Sequence, residues 1–102
     1  MFTAHDIDVI ESGDIEPSFE EYYLSLQRAI NDGYWGLQGS YGRAMMGAIE
    51  DGYCMLGRKG FRDYYGNYIP SRDEVQDGTK GSVGYVFHNN GEHWTAMMAE
   101  VE

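Results

Sequence analysis

Gly36, Gly39 and Gly42 lie three apart and lead into Arg43, with Ser40 between them. A glycine-rich approach to a helix can leave backbone N–H groups pointing outward, and a neighbouring guanidinium adds charge to hold an anion. The chemistry would be capture of a phosphate or carboxylate by Gly39, Ser40, Gly42 and Arg43 in a Gly36–Arg43 loop. Neither the dinucleotide fingerprint nor the P-loop spacing is present, and no strong strand pattern precedes the segment. Glycine spacing is permissive, so a tight turn followed by close helix contact is the plainer reading of the same residues.

Arg58, Lys59 and Arg62 form the basic cluster of the chain, in Gly57-Arg58-Lys59-Gly60-Phe61-Arg62. A phosphate or acidic partner could dock there. Pairing within the molecule is the simpler expectation, since the acidic front needs a counter-surface, although exposed pairs contribute only about 0–1 kcal/mol each. The available nitrogen and sulfur ligands are His5, His88, His93 and Cys54. His88 and His93 are five apart, whereas a zinc helix wants histidines four apart, and Asn90-Gly91 between them interrupts a continuous helix. Asp6-Ile7-Asp8 runs into Val9 and Ile10 without the glycine that a calcium loop requires. No Gly-x-Ser-x-Gly elbow occurs, and Cys54 stands in no nucleophile motif. Glu20-Glu21 and Asp73-Glu74 are more simply first-turn helix charge than catalytic pairs. The expectation is a non-enzymatic protein with no catalytic residue, cofactor or metal.

The 17 acidic residues exceed the 7 basic ones to give a net charge of −10, and the excess is unevenly placed. Residues 1–27 hold Asp6, Asp8, Glu11, Asp14, Glu16, Glu20 and Glu21 with no Lys or Arg. Residues 28–80 balance, and Glu92, Glu100 and Glu102 follow unopposed. Such a field steers encounters and repels nucleic acid phosphate and anionic lipid, so direct binding to either is not expected. Nine tyrosines exceed what one small core hides comfortably, and adjacent ones such as Tyr22-Tyr23 and Tyr64-Tyr65 cannot all face inward. Tyr and Met both suit partner surfaces. The front acids together with Tyr22 and Tyr23 are therefore the expected protein-binding surface.

The elements that would carry these residues are mostly helical. Thr3 and Asp6 open a short helix that ends at Gly13, with Phe2 placed to staple onto Ile7. Ser18-Phe19-Glu20-Glu21 is a capping box, and Phe19, Tyr22, Tyr23, Leu26, Ala29 and Ile30 recur at helical spacing, which predicts a helix over 19–32 closed by Gly33. A third helix is expected from Tyr41 to Asp51, capped by Ser40 and ended by Gly52. Gly42 and Gly47 inside it each cost about 1 kcal/mol of helix propensity, which suggests close backbone contact with a neighbour. The two helix exits, residues 29–37 and 48–56, agree at six of nine positions, so one glycine stop with a back-folded tyrosine is expected twice. Phe61 to Ile69 predicts a small hairpin around Tyr65-Gly66-Asn67. Pro70-Ser71-Arg72-Asp73-Glu74 supports a turn or two, and Ser82 to His88 is ambiguous between strand and helix. Trp94, Met97, Met98 and Val101 make one helical face. The fold expected is mainly α, short helices with a minor β-hairpin, with α+β as the alternative.

A chain of 102 residues with 42% apolar content suits one small domain, with residues 1–17 as an acidic segment that could dock loosely. One cysteine allows no intrachain disulfide, the start lacks a secretory pattern, and no apolar run approaches a bilayer span. A cytoplasmic location is expected.

Residues 35–46, Trp35-Gly36-Leu37-Gln38-Gly39-Ser40-Tyr41-Gly42-Arg43-Ala44-Met45-Met46, with 48–57, 66–75 and 78–82, resemble small acidic proteins encoded by tailed phages of actinobacteria. The similarity spans about residues 19–100 and leaves out the acidic front. It implies expression inside an infected bacterium and a role in diverting host machinery or protecting against it, and it carries over no functional residues. The expected function is a small protein-binding accessory factor acting on a host protein. Two alternatives stand beside it. One is DNA mimicry directed at a nucleic-acid-binding enzyme, which the neutral middle of the chain disfavours. The other is a small-anion binder using the Gly36–Arg43 loop. A homo-oligomer is compatible with all three.

Overall fold

The computed structural model describes residues 1–11, 17–36 and 39–102. These residues form four helices: α1 (Ala4–Glu11), α2 (Phe19–Asn31), α3 (Gly39–Glu50) and α4 (Val83–Ala99). A 3-10 turn, Tyr34–Gly36, separates α2 from α3, and a hairpin, β1 (Phe61–Arg62) with β2 (Tyr68–Ile69), separates α3 from α4. The strands pair antiparallel with Phe61 opposite Ile69 and Arg62 opposite Tyr68. The mainly α expectation holds, with the hairpin as its minor β element. No helix among the described residues is long and apolar enough to cross a membrane.

The core is built around α2. Leu26, Ala29 and Ile30 recur on one face and are buried against Met45, Ala48 and Ile49 of α3 and Val86 and Met98 of α4. Ser18 caps α2 by accepting the Glu21 amide at 3.1 Å. The Glu21 carboxylate lies 3.3 Å from His5 Nε2 instead of returning to the cap. The chain then leaves α2 through Gly33 at φ +78° and leaves α3 through Gly52 at φ +79°. A Cβ would strike the Phe61 ring at the first site and the Asn89 side chain at the second, so both stops need glycine for conformation and for space. The two following tyrosines find aromatic partners. The Tyr34 ring meets Phe2, just before α1, at 4.5 Å, and the Tyr53 ring stacks on Tyr23 of α2 at 4.5 Å.

Two expectations for α3 are corrected. The helix begins at Gly39, so Gly39 and Ser40 lie in its first turn and Ser40 is not its cap. First-turn N–H groups need no intrahelical acceptor, which makes a weak helix former cheap at that end. Nor do Gly42 and Gly47 buy a close approach, since an added Cβ would meet nothing within 4 Å at either. The ambiguous stretch 82–88 is helical. Ser82 accepts the Tyr85 amide at 3.1 Å and starts α4, which then breaks at Gly91 (φ 83°, ψ 177°).

Residues 1–11 are tied to the body. Thr3 and Asp6 exchange hydrogen bonds, the Thr3 amide donating to Asp6 Oδ2 at 2.9 Å and the Asp6 amide to Thr3 Oγ1 at 3.4 Å. Phe2 is buried, and its amide donates to the Asp32 carboxylate just past α2 at 2.6 Å. The expected stop at Gly13 lies outside the described residues.

Candidate functional site

The acids expected to face a partner divide into several groups. Asp6 is only 2% exposed and accepts from Ser25 Oγ at 2.8 Å and Arg28 Nη1 at 2.7 Å. Burial pushes its carboxyl up, but the hydrogen bonds from Ser25, Thr3 and Arg28, with the Arg28 charge, outweigh that and hold it below the ordinary value. Asp6 is thus an anchor joining α1 to α2 and not a steering charge. Glu11 accepts from the Tyr41 hydroxyl at 2.5 Å, linking α1 to α3. Burial and that bond raise the Tyr41 hydroxyl to about 12. Glu21 sits beside His5. Asp8 and Glu20 are exposed with no hydrogen bond or ion pair among the described residues. Asp14 and Glu16 lie outside the described residues.

Tyr22 and Tyr23 are half-buried in an aromatic cluster at the start of α2. Tyr23 stacks on Tyr53, and Phe19 and Trp94 pack around them with ring centres 4.9–6.1 Å from Tyr23. Burial is the main cause that raises the Tyr23 hydroxyl above its ordinary value. Trp94 Nε1 donates to the Tyr53 carbonyl at 2.8 Å and fixes the cluster to α4. The cluster is mainly packing, with Phe19 still 57% exposed at its edge.

The most exposed tyrosines among the described residues are on the hairpin. Tyr64, Tyr65 and Tyr68 are 66%, 78% and 51% exposed. Strands of two residues cannot bury both faces of a ribbon, so the side chains at its tip stay out. Asp63 shapes that tip: its Oδ1 accepts the Tyr65 amide at 2.9 Å and the Asn67 amide at 2.8 Å. The Tyr68 hydroxyl donates to Glu74 at 2.6 Å, and the Arg62 guanidinium lies 5.7 Å from the Tyr68 ring centre.

Between this hairpin and α3 lies a cleft of about 240 Å³. Gly42, Arg43 and Met46 line it from α3, with Trp35 at the base and Asp63, Tyr64, Tyr65 and Ile69 opposite. A second hollow of about 290 Å³ is also lined by Met46 and Ile69, together with Pro70, Val75 and Lys80. Of the candidate anion loop over 36–43, residues 37–38 lie outside the described residues. Gly39, Ser40, Gly42 and Arg43 all belong to α3, and of these Gly42 and Arg43 contribute to the cleft. Gly42 leaves it open where a larger side chain would fill it. Tyr64, Tyr65 and Met46 were not singled out by motif, and the usable signal was the paired tyrosines flanking a tight turn.

Among the described residues the basic cluster does not pair with the acidic front. Arg58 donates to the Ala99 carbonyl at 3.0 Å, Lys59 lies 5.9 Å from the Phe61 ring centre, and Arg62 donates to the Gly66 carbonyl at 3.1 Å. Arg28 serves as the counter-charge to Asp6 instead. Arg43 has no hydrogen bond or ion pair among the described residues. Cys54 is fully buried, and burial pushes its thiol far up, away from nucleophilic use. Among the described residues no three His, Cys, Asp or Glu side chains are grouped to hold a metal ion. Compared with protein-family models, curated proteins and solved structures, the chain matches none.

Proposed function

We propose that this chain is a small non-enzymatic protein-binding factor whose contact surface is the hairpin tip with the cleft beside it. The observation that carries this reading is the exposure of Tyr64, Tyr65 and Tyr68 next to an apolar hollow lined by Trp35, Met46 and Ile69. Rigid aromatic groups around a desolvated pocket are the arrangement that concentrates binding energy at protein interfaces. Asp8 and Glu20 contribute long-range steering. The likeness to phage proteins makes a bacterial host protein the partner to seek.

The test is capture of partners from a bacterial extract by the native chain and by a Tyr64→Ala/Tyr65→Ala variant. Both residues are exposed, so the variant should keep its circular dichroism and melting temperature. A specific partner held by the native chain and weakened at least about tenfold in the variant supports the reading. Equal capture by both removes it. Affinity that collapses between about 50 and 200 mM salt would favour DNA mimicry instead.

A further inference from the structure

We infer that the cleft accepts a partner segment presenting one aromatic or large aliphatic side chain beside a carboxylate, the side chain entering between α3 and the hairpin and the carboxylate pairing with Arg43. This rests on the protein-binding reading above and names the chemistry of the segment. Size decides the first part. At about 240 Å³ the cleft is smaller than the roughly 300–1,000 Å³ typical of small-molecule sites, and it matches one large side chain. Met46 and Ile69 also line a second hollow of about 290 Å³, so apolar lining extends beyond the cleft, which suits a length of polypeptide more than a compact ligand.

Charge decides the second part. Among the described residues two ionised side chains line the cleft, Arg43 and Asp63. Asp63 is already committed, since the Tyr65 and Asn67 amides both donate to its carboxylate. Arg43 has no acceptor among the described residues, so its guanidinium is the charged group at the cleft with hydrogen-bonding capacity left for a partner. In the second hollow Lys80 and Glu50 lie 3.7 Å apart and offset each other. A complementary segment therefore brings a carboxylate to the Arg43 end. It brings one, not a run of them, because the chain's net charge of −10 repels strongly acidic partners.

The probes are three nonapeptides in a Gly/Ser background, carrying a central Trp-Glu, Trp-Lys or Ala-Glu pair. Each is titrated into full-length protein labelled with ¹⁵N and with ¹³C at the Met methyls. The Trp-Glu peptide should shift the Met46 methyl and the Trp35 indole N–H and saturate. Trp-Lys should bind about fivefold more weakly, and Ala-Glu should leave both signals in place. Arg43→Glu, at an exposed position, should reverse the order of Trp-Glu and Trp-Lys with an unchanged melting temperature. Equal affinity for both Trp peptides, shifts confined to other residues, or no shift at all would overturn the inference. So would self-association detected by light scattering and abolished by Arg43→Glu, because that assigns the cleft to a second copy. If the peptides fail while Tyr64→Ala/Tyr65→Ala still loses the captured partner, the protein-binding reading survives and this inference falls.

Discussion

The side chain of Gln27 and the backbone of Met55 exchange two hydrogen bonds of 2.9 Å, Met55 N–H donating to Oε1 and Nε2 donating to the Met55 carbonyl. Gln27 is fully buried and so stands in for a neighbouring strand. It is needed because Cys54, Met55 and Leu56 are buried and belong to no helix or strand. Three further backbone groups there are met one at a time. Cys54 N–H donates to Ala48, Leu56 N–H donates to Gly81, and the Leu56 carbonyl accepts from Arg72 Nε. Gln27 Nε2 also donates to Asn31 Oδ1, which accepts in turn from Arg72.

Gln27→Leu keeps the volume and leaves a buried donor and a buried acceptor unpaired. Each orphaned group costs about 1–3 kcal/mol, so a loss of roughly 3 kcal/mol is expected. Urea unfolding followed by circular dichroism measures it. A loss below about 1 kcal/mol would show that water or a backbone shift replaces the amide.

Asp6→Asn should cost about 2–3 kcal/mol at pH 7, because it leaves Arg28 without its counter-charge in a partly buried place. The cost depends on pH in a fixed direction. Folding lowers the Asp6 pKa, so its stabilisation is whole above the unfolded value of about 3.9 and is lost as pH falls through the lower folded value. The gap between native and variant stability should therefore close below about pH 4. A gap that stays constant down to pH 2 would contradict the assignment.

Gly47→Ala should stabilise the chain by about 1 kcal/mol, since α3 gains helix propensity and the new methyl meets nothing within 4 Å. Gly52→Ala should do the opposite, with φ at +79° and Asn89 in the way. Melting temperatures of the two variants, moving in opposite directions, provide the check.

Cys54 should resist thiol reagents at pH 8 until the chain unfolds. Its Sγ donates to the Tyr23 carbonyl at 3.4 Å, and burial disfavours the thiolate. Labelling with an aromatic disulfide, with and without urea, reads this directly. Rapid labelling of the folded chain would mean that the core opens locally.

Much of the helical framework was legible because its signals are local. The Ser18 cap, the periodic face of α2 and the glycine stops at 33 and 52 each act within a turn of sequence, whereas Ser82 competed with the strand-favouring Val83, Tyr85 and Phe87 and left 82–88 undecided. The start of α3 was misplaced by the same local logic, as Ser40 looks like a cap whether or not the helix begins before it. The acidic front illustrates what composition cannot give. Asp6 and Asp8 are equivalent in sequence, yet only Asp6 points at Ser25 and Arg28, and a helical packing angle decides which is buried. The cleft was hidden for a similar reason. Arg43 and Tyr64 are twenty-one residues apart, and they share a hollow only once the hairpin has closed against α3.

The Asp63 carboxylate, by gripping the Tyr65 and Asn67 amides, locks the loop into shape while the molecule is alone. Whatever settles on those rings meets a rigid platform and not a floppy one. Little ordering entropy remains to be lost on association, so tightness would be decided mainly by how slowly the pair comes apart.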